Sequence, residues 1–306
     1  RDGDASVSGP AQEAGGQAAE RDRAEHRSGF ITLLGRPNVG KSTLLNRILG
    51  KKVSITASTP NTTRRRIQGV LNRPDAQAVF VDTPGIHKPK TALGARLNES
   101  ARASLDGVDV VCLVVDATAP IGPGDKRIAS ALPANTVVVV NKIDVAERAE
   151  TLRQLARAQE ELSLADAEYF PVSAKTGLGV ATLVDHLVAR LPEGPSYFPG
   201  DTVSDVPEAF FVAELVREQL LKTVRDELPH SIACEVTEWD WPYIRCEIFV
   251  ERQSQRPIVV GAKGEVLKLV GQAVRRQLPD GAYLDLHVGV ERDWQRHKEL
   301  IDRLGY

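Results

Sequence analysis

The segment Gly35-Arg36-Pro37-Asn38-Val39-Gly40-Lys41-Ser42-Thr43 constrains this chain more tightly than any other. It fits the pattern G-x-x-x-x-G-K-[ST], and it stands between an apolar run at residues 30–34 and a helical pattern that opens at Lys41. That strand–loop–helix setting is what the pattern needs. Glycines let backbone N–H groups close around a phosphate, the Lys41 ammonium adds a point charge, and the Ser42 hydroxyl is suited to ligate Mg²⁺. The loop predicts a nucleotide-binding α/β domain and leaves open which purine it takes.

The neighbouring chain agrees. Further β-rich runs lie at residues 79–82, 108–116, 136–141 and 168–172. Val180, Leu183, Val184, Leu187 and Val188 recur at helical spacing. Strands that are apolar throughout and alternate with helices imply a mostly parallel sheet with helices on both faces. Residues 67–72 precede 79–82 by only a short turn, which predicts one antiparallel pair. Residues 29–191 read as one α/β domain. Residues 1–28 hold Gly, Ala, Ser and charges with Val7 as their only branched aliphatic, and read as a disordered tail. Residues 192–207 carry four prolines and two glycines and read as a linker. Residues 208–306 change rhythm: a helix over 208–227, strands over 231–238 and 244–251, a helical pair around Gly261–Gly264 preceded by the strand-like run 258–260, a strand over 283–290 and a last helix from Asp293. That order is α+β.

Composition excludes more than it selects. No apolar run approaches the ~20 residues of a spanning helix. The net charge of −2 does not advertise a nucleic-acid partner, so such a partner needs a local basic patch. Cys112, Cys234 and Cys246 are odd in number and lack C-x-x-C spacing, which argues against a disulfide framework or zinc site and fits a reducing compartment. No apolar stretch precedes Phe30, so no secretory signal is expected.

The base is chosen by Asn141-Lys142-Ile143-Asp144, at the end of a predicted strand. A carboxylate at Asp144 accepts from both N1–H and the exocyclic N2–H of guanine, and adenine offers neither donor there. A buried, unpaired carboxylate would reject adenine strongly, which disfavours an ATPase. Asp82-Thr83-Pro84-Gly85 also ends a strand: Asp82 would hold Mg²⁺ through water, and the Gly85 N–H can meet a γ-phosphate. Ser173-Ala174-Lys175, after the last strand of the domain, would back the base edge by main-chain contact. A γ-phosphate-sensing loop needs a threonine that reaches Mg²⁺. Thr62 and Thr63 are the candidates, with Thr63 preferred. Ser42, Thr63 and Asp82 form the expected Mg²⁺ set.

These motifs, in this order, resemble the translation-factor-type GTPases over residues 29–191. Arg36-Pro37-Asn38 together with Thr62-Thr63-Arg64 is similar to the bacterial Era branch, which implies Mg²⁺-dependent hydrolysis of GTP to GDP and phosphate. Ile86 stands where Ras-like enzymes carry a water-orienting Gln, so hydrolysis should be slow or completed by another group. In related GTPases an asparagine at the place of Asn38 ligates K⁺, which makes Asn38 a candidate K⁺ ligand here.

In the last third, Gly261-Ala262-Lys263-Gly264 forms a G-x-x-G loop before a helix, as in KH modules, where the backbone approaches nucleic-acid phosphates without Cβ clashes. Residues 201–306 hold 14 Lys/Arg and 19 Asp/Glu, yet residues 251–276 hold six basic side chains (Arg252, Arg256, Lys263, Lys268, Arg275, Arg276) against Glu251 and Glu265. An RNA backbone would lie on that patch. Val250–Gln255, Glu227-Leu228-Pro229-His230-Ser231 and Leu304-Gly305-Tyr306 extend the Era resemblance to residues 29–306. The loop Trp239-Asp240-Trp241-Pro242-Tyr243 departs from it; its aromatics could stack on bases, but packing or a hairpin tip is the preferred reading. The resemblance implies a KH type II domain, binding near the 3′ end of 16S ribosomal RNA, assistance to small-subunit assembly, a monomer, a cytoplasmic location, and room for peripheral association with the inner face of the cell membrane. The competing reading is an RNA-binding scaffold with a catalytically weak nucleotide domain, which Ile86 favours.

Overall fold

A computed structural model of the chain describes residues 26–60, 62–86, 91–224 and 228–306, with residues 229 and 230 described by backbone alone. In chain order the first unit contains β1 (Arg27–Leu34), α1 (Lys41–Leu49), β2 (Ile67–Asn72), β3 (Ala76–Asp82), α2 (Ala92–Ala103), β4 (Val110–Asp116), α3 (Pro123–Ala129), β5 (Val137–Asn141), α4 (Arg148–Glu161), β6 (Glu168–Pro171) and α5 (Val180–Ala189). They build a six-stranded sheet in the order β2-β3-β1-β4-β5-β6. Only β2 runs antiparallel to its neighbour. The all-apolar runs of β4 and β5 follow from burial on both faces. Leu44, Leu45, Leu183 and Leu187 pack with Ile31 and Leu33 on one side, and Ile128 and Ala158 with Val138 and Val140 on the other. Chain order reverses at β1, which lies between β3 and β4. Loops at the C-terminal ends of β1, β3 and β5 converge there, in the crevice where such sheets bind ligands.

The second unit contains α6 (Glu208–Thr223), α7 (Leu228–Ser231), β7 (Ala233–Asp240), β8 (Tyr243–Val250), α8 (Arg256–Val260), α9 (Glu265–Arg275), β9 (Tyr283–Val290) and α10 (Lys298–Arg303). Its sheet, β7-β8-β9, pairs β7 with β8 antiparallel and β8 with β9 parallel. Alternate residues of β8, among them Ile244, Cys246 and Ile248, face a core completed by Leu215, Leu220, Val259, Val270 and Val274. Trp239 to Tyr243 form the tip of the β7–β8 hairpin, with Tyr243 stacked on Tyr283 at 5.7 Å. The three cysteines are free and buried. Burial pushes the Cys112 thiol up to about 12, so it behaves as a small hydrophobe.

Three sequence expectations need correction. Of the tail, residues 1–25 lie outside the described residues, but Arg27 and Ser28 belong to β1: Arg27 pairs with Ala76, and Ser28 N donates to Pro192 O at 2.9 Å. Neither residue carries an apolar signal, so only the tertiary partner reveals the strand. The helix expected over 208–227 ends at Thr223, with Val224 extended, and 225–227 lie outside the described residues. Residues 258–260 are helical within α8, because a three-residue apolar run is too short to set its own period.

The linker is not a free tether. Glu193 bridges to Arg27 and Ser204 to Gly69, Val70 N donates to Val203 O at 2.9 Å, and Gln77 Oε1 accepts from the amides of Tyr197 and Phe198 at 2.7 and 2.9 Å. The segment is strapped to the first unit as far as Asp205, whose carboxylate accepts from Gln68 N at 2.9 Å.

Candidate functional site

Three glycines set the phosphate loop. A Cβ on Gly35 would lie 2.4 Å from Val114 O, one on Gly40 2.3 Å from Asn141 Nδ2, and one on Gly85 2.8 Å from Pro37. The loop is thus pressed against β4, the start of the N-K-x-D segment and the D-x-x-G turn at once. Asn38 and Gly40 both adopt positive φ, and Gly40 opens α1. Lys41 Nζ donates to the carbonyls of Gly35 at 3.2 Å and Arg36 at 3.1 Å. Burial lowers its pKa to about 8, against the opposing charge of Asp82. A cavity of about 420 Å³ opens between Lys41, Ser42, Thr43 and the loop from Ile55 to Thr63.

Hydroxyls converge on one carboxylate. Asp82 Oδ2 accepts from Ser42 Oγ at 2.7 Å, Ser54 Oγ at 3.0 Å and Thr63 Oγ1 at 3.5 Å, and Ser42 Oγ lies 2.9 Å from Thr63 Oγ1. The other oxygen, Asp82 Oδ1, is buried without a hydrogen-bond partner among the described residues. Burial raises the Asp82 pKa, opposed by Lys41 and the three hydroxyls. A small hard cation fits this cluster: all donors are oxygens, one charged oxygen is uncommitted, and Mg²⁺ keeps waters alongside one or two carboxylates. Thr62 is turned elsewhere. Its hydroxyl donates to Thr59 O at 2.6 Å, so of the two threonines only Thr63 faces the cluster. Thr83 Oγ1 donates to Leu33 O at 2.9 Å, which anchors the turn through Pro84 to Gly85. Ile86 packs into two apolar clusters and offers the phosphate side no polar group. Asn38 Nδ2 donates to Ser58 O at 2.6 Å, tying the phosphate loop to the threonine loop.

On the base side, Asn141 works as a staple: Nδ2 donates to Val39 O and Oδ1 accepts from Ala174 N, both at 2.9 Å. Lys142 takes φ +72° and donates to Asp116 Oδ2 at 2.5 Å. Burial would raise the Asp116 carboxyl, but Lys142 and Thr118 hold it below its ordinary range. Asp144 is exposed, not buried as the sequence argument assumed, and its Oδ1 accepts from Ser173 Oγ at 2.7 Å. Ser173 thus holds the carboxylate through its side chain. Arg47 Nε donates to Ala174 O at 3.1 Å, and its guanidinium also reaches Lys175 O.

The G-x-x-G loop joins α8 to α9. Gly261 and Gly264 have φ of +76° and +79°, and Lys263 between them +52°. A Cβ on Gly261 would meet Val266 N at 2.8 Å, whereas one on Gly264 meets nothing within 4 Å. Ala262, Lys263, Lys268, Arg275 and Arg276 are exposed. Ile258 and Leu269 are also exposed, at 56% and 53%, so apolar surface accompanies the basic side chains.

Sequence reasoning missed the junction between the two units. Ile55, in the loop that covers the phosphate cavity, is buried in the core of the second unit. Glu218 of α6, its side chain fully buried, accepts from Thr56 N at 2.9 Å and from Lys52 Nζ at 2.6 Å. Arg217, also buried, donates to the Thr62 carbonyl and is paired with Glu214. Arg64 Nη1 donates to Ile232 O at 2.7 Å, and its guanidinium lies 5.3 Å from the ring centroids of both Trp294 and Tyr306. Ser54 and Asn46 were missed too: Asn46 Oδ1 accepts from the amides of Val53 and Ser54 at 2.9 and 3.0 Å. The sequence marks Thr62, Arg64 and Tyr306 by resemblance and α6 as a helix, but nothing in it joins them across the two units.

The comparisons bear on both units. The family described as 50S ribosome-binding GTPase matches residues 30–142, and the KH domain family matches residues 227–295. GTPase Era of Mycobacterium tuberculosis is 45% identical over 299 residues, covering 92% of this chain and 99% of that protein. The chain belongs to the Era family of GTPases. GTPase Era of Streptomyces coelicolor is 44% identical over 92% of this chain and 95% of its own length. Two solved Era structures, each 38% identical over 92% of this chain and 99% of the other, superpose with TM-scores of 0.86 and 0.87. One is an Aquifex aeolicus Era variant bound to GDP·AlF4⁻; the other is Era in complex with MgGDPNP and nucleotides 1506–1542 of 16S ribosomal RNA. In this Era-family chain the first unit is the G domain and the second the KH domain. Among the described residues no helix is long and apolar enough to cross a membrane.

Proposed function

We propose that this chain is a GTP-hydrolysing timer that holds the 3′ region of 16S ribosomal RNA on its KH loop and releases it according to nucleotide state, in the service of small-subunit assembly. The observation that carries the reading is the double attachment of the loop over the phosphate cavity. On one side Thr63 reaches the Ser42–Asp82 cluster; on the other, Thr56 and the Thr62 carbonyl are held by Glu218 and Arg217 of α6. A change at the phosphates is therefore felt by the first helix of the KH domain. The linker is strapped to the first unit through Asp205, and Val206 packs against that unit's core, so little free chain separates the two units.

In this reading the loop from Gly35 to Thr43 cradles the phosphates, Lys41 meets the β- and γ-phosphates, and Gly85 N–H meets the γ-phosphate. Asp144, aimed by Ser173, reads the guanine edge, while Asn141, Lys142, Ala174 and Lys175 frame the base. Ser42, Thr63 and Asp82 would hold Mg²⁺, which when bound neutralises charge developing on the transferred phosphoryl group. Loss of the γ-phosphate removes the reason for Thr63 and Gly85 to stay, and the loop relaxes with its grip on α6. Asp144→Asn should weaken GTP binding by about 100-fold, by loss of a charge-assisted pair of hydrogen bonds. Retained affinity overturns the base assignment. RNA affinity measured with GDP and with a non-hydrolysable GTP analogue tests the timer. Equal affinity in the two states overturns it.

The Asn38 side-chain oxygen has no hydrogen bond among the described residues, and we place K⁺ there. Hydrolysis should run faster in K⁺ than in Na⁺, and Asn38→Ala should erase the difference; equal rates in the two salts would remove the ion. The packing of Ile86 favours the second reading, a scaffold with an idle G domain. Multiple-turnover phosphate release well above a Lys41→Ala control decides against it. A cytosolic monomer, with membrane contact limited to peripheral association, completes the proposal.

A further inference from the structure

Arg36 is the second residue of the phosphate loop, yet its side chain does not line the phosphate cavity. It points outward to α3, where its Nε donates to Asp125 Oδ1 at 2.8 Å. Asp125 is fully buried and lies 89 residues further along the chain. Its second oxygen accepts from Gly122 N at 2.9 Å, closing the first turn of α3. Both carboxylate oxygens are thus committed. Gly122 and Gly124 leave the channel through which the arginine runs: a Cβ on Gly124 would sit 2.8 Å from Arg36 Cδ. The backbone carbonyl of this same Arg36 accepts from Lys41 Nζ at 3.1 Å.

We infer, resting on the GTPase reading above, that Asp125 is a positioning residue for the phosphate site. It grips Arg36 from outside and so fixes the carbonyl that aims Lys41. The buried carboxylate is a rigid anchor because both its partners are short and directional. Removing Arg36 strands a desolvated charge, and removing the charge frees the arginine, so either change loosens the same element of the loop. Neither Asp125 nor Arg36 lines the phosphate cavity. Their effect passes through the backbone.

The test uses the full chain with Mg²⁺ and two readouts: release of a fluorescent non-hydrolysable GTP analogue, and phosphate release at saturating GTP. Arg36→Ala and Asp125→Asn should each speed analogue release about 10-fold, and the double variant about 10-fold rather than the roughly 100-fold of independent sites. Arg36→Lys, which keeps a cation within reach of Asp125, should recover to within about threefold of the unmodified chain, a rescue that a purely packing role would not produce. Unchanged release in Asp125→Asn overturns the inference. So does a double variant whose loss is the product of the single losses. Should Asp125→Asn fail to fold, Arg36→Ala at a side chain 33% exposed carries the comparison with Arg36→Lys, and equal release from those two overturns it. Absence of phosphate release from the unmodified chain would refute the GTPase reading instead, while analogue release still reads the brace.

Discussion

The chain uses glycine loops twice, and the two are built on opposite plans. The phosphate loop is clasped: Gly35 against β4, Gly40 against Asn141, Gly85 against Pro37, with Asn38 tied to Ser58 and Arg36 to Asp125. The G-x-x-G loop stands open, with Lys263 and Ala262 exposed and empty space beside Gly264. The difference follows from what each must hold. A small, highly charged ligand is gripped best by donors fixed in advance, since ordering them on binding would cost affinity. An RNA strand arrives with its own backbone geometry and needs access more than enclosure.

The sharpest way to break the contrast is Gly40→Ala. The left-handed φ and the Cβ 2.3 Å from Asn141 Nδ2 leave no relaxed solution, so GTP and GDP affinity should fall by about 3 kcal/mol or more, measured by calorimetry, while nucleotide-free RNA affinity stays put. Next in size, Gly261→Asp and Gly264→Asp should each lower RNA affinity by about 100-fold by placing a carboxylate where phosphate must approach, with GTP hydrolysis within about twofold of the unmodified chain. Retained affinity in both would refute docking at this loop.

A third test reaches the clasp from the KH side. Burial works to raise the Glu218 carboxyl, but Lys52, the Thr56 amide and Lys222 together hold it below its ordinary 4.5. Its stabilisation is complete above that value and is lost as pH falls through the lower folded-state value. The melting difference between the unmodified chain and Glu218→Gln, about 1.5 kcal/mol for charged hydrogen bonds, should be flat above pH 4.5 and shrink below it. The smallest effect separates the two open-loop glycines. Gly264→Ala meets no atom and carries only the left-handed penalty of about 1 kcal/mol, whereas Gly261→Ala also strikes Val266 and should weaken RNA binding more.

What was legible in the sequence was what is local. The phosphate loop, N-K-x-D, D-x-x-G and G-x-x-G are each a few consecutive residues whose chemistry is written in their spacing, and the alternation of apolar runs gave the sheet and its helices. What was illegible was whatever depends on a distant partner. Nothing near Asp125 announces that it holds Arg36, and nothing in α6 announces that Glu218 and Arg217 hold the loop over the phosphate cavity. Asp144 was expected to be buried because base selection wants a desolvated carboxylate, but it lies on the loop past the end of β5 and faces solvent. Arg27 and Ser28 look like tail until Ala76 and Pro192 are beside them. The prolines of 192–207 read as a tether because proline signals an absence of helix, and says nothing about what an extended segment lies against.

That extended segment has one more effect. β2 is the outermost strand of the G-domain sheet, and on its free side Val70 N donates to Val203 O and Gln68 O accepts from Asp205 N. An uncovered strand there would be a template for a second molecule to add to, as exposed sheet margins commonly are. By laying its own backbone along that margin, the chain gives those outward groups of β2 an internal partner.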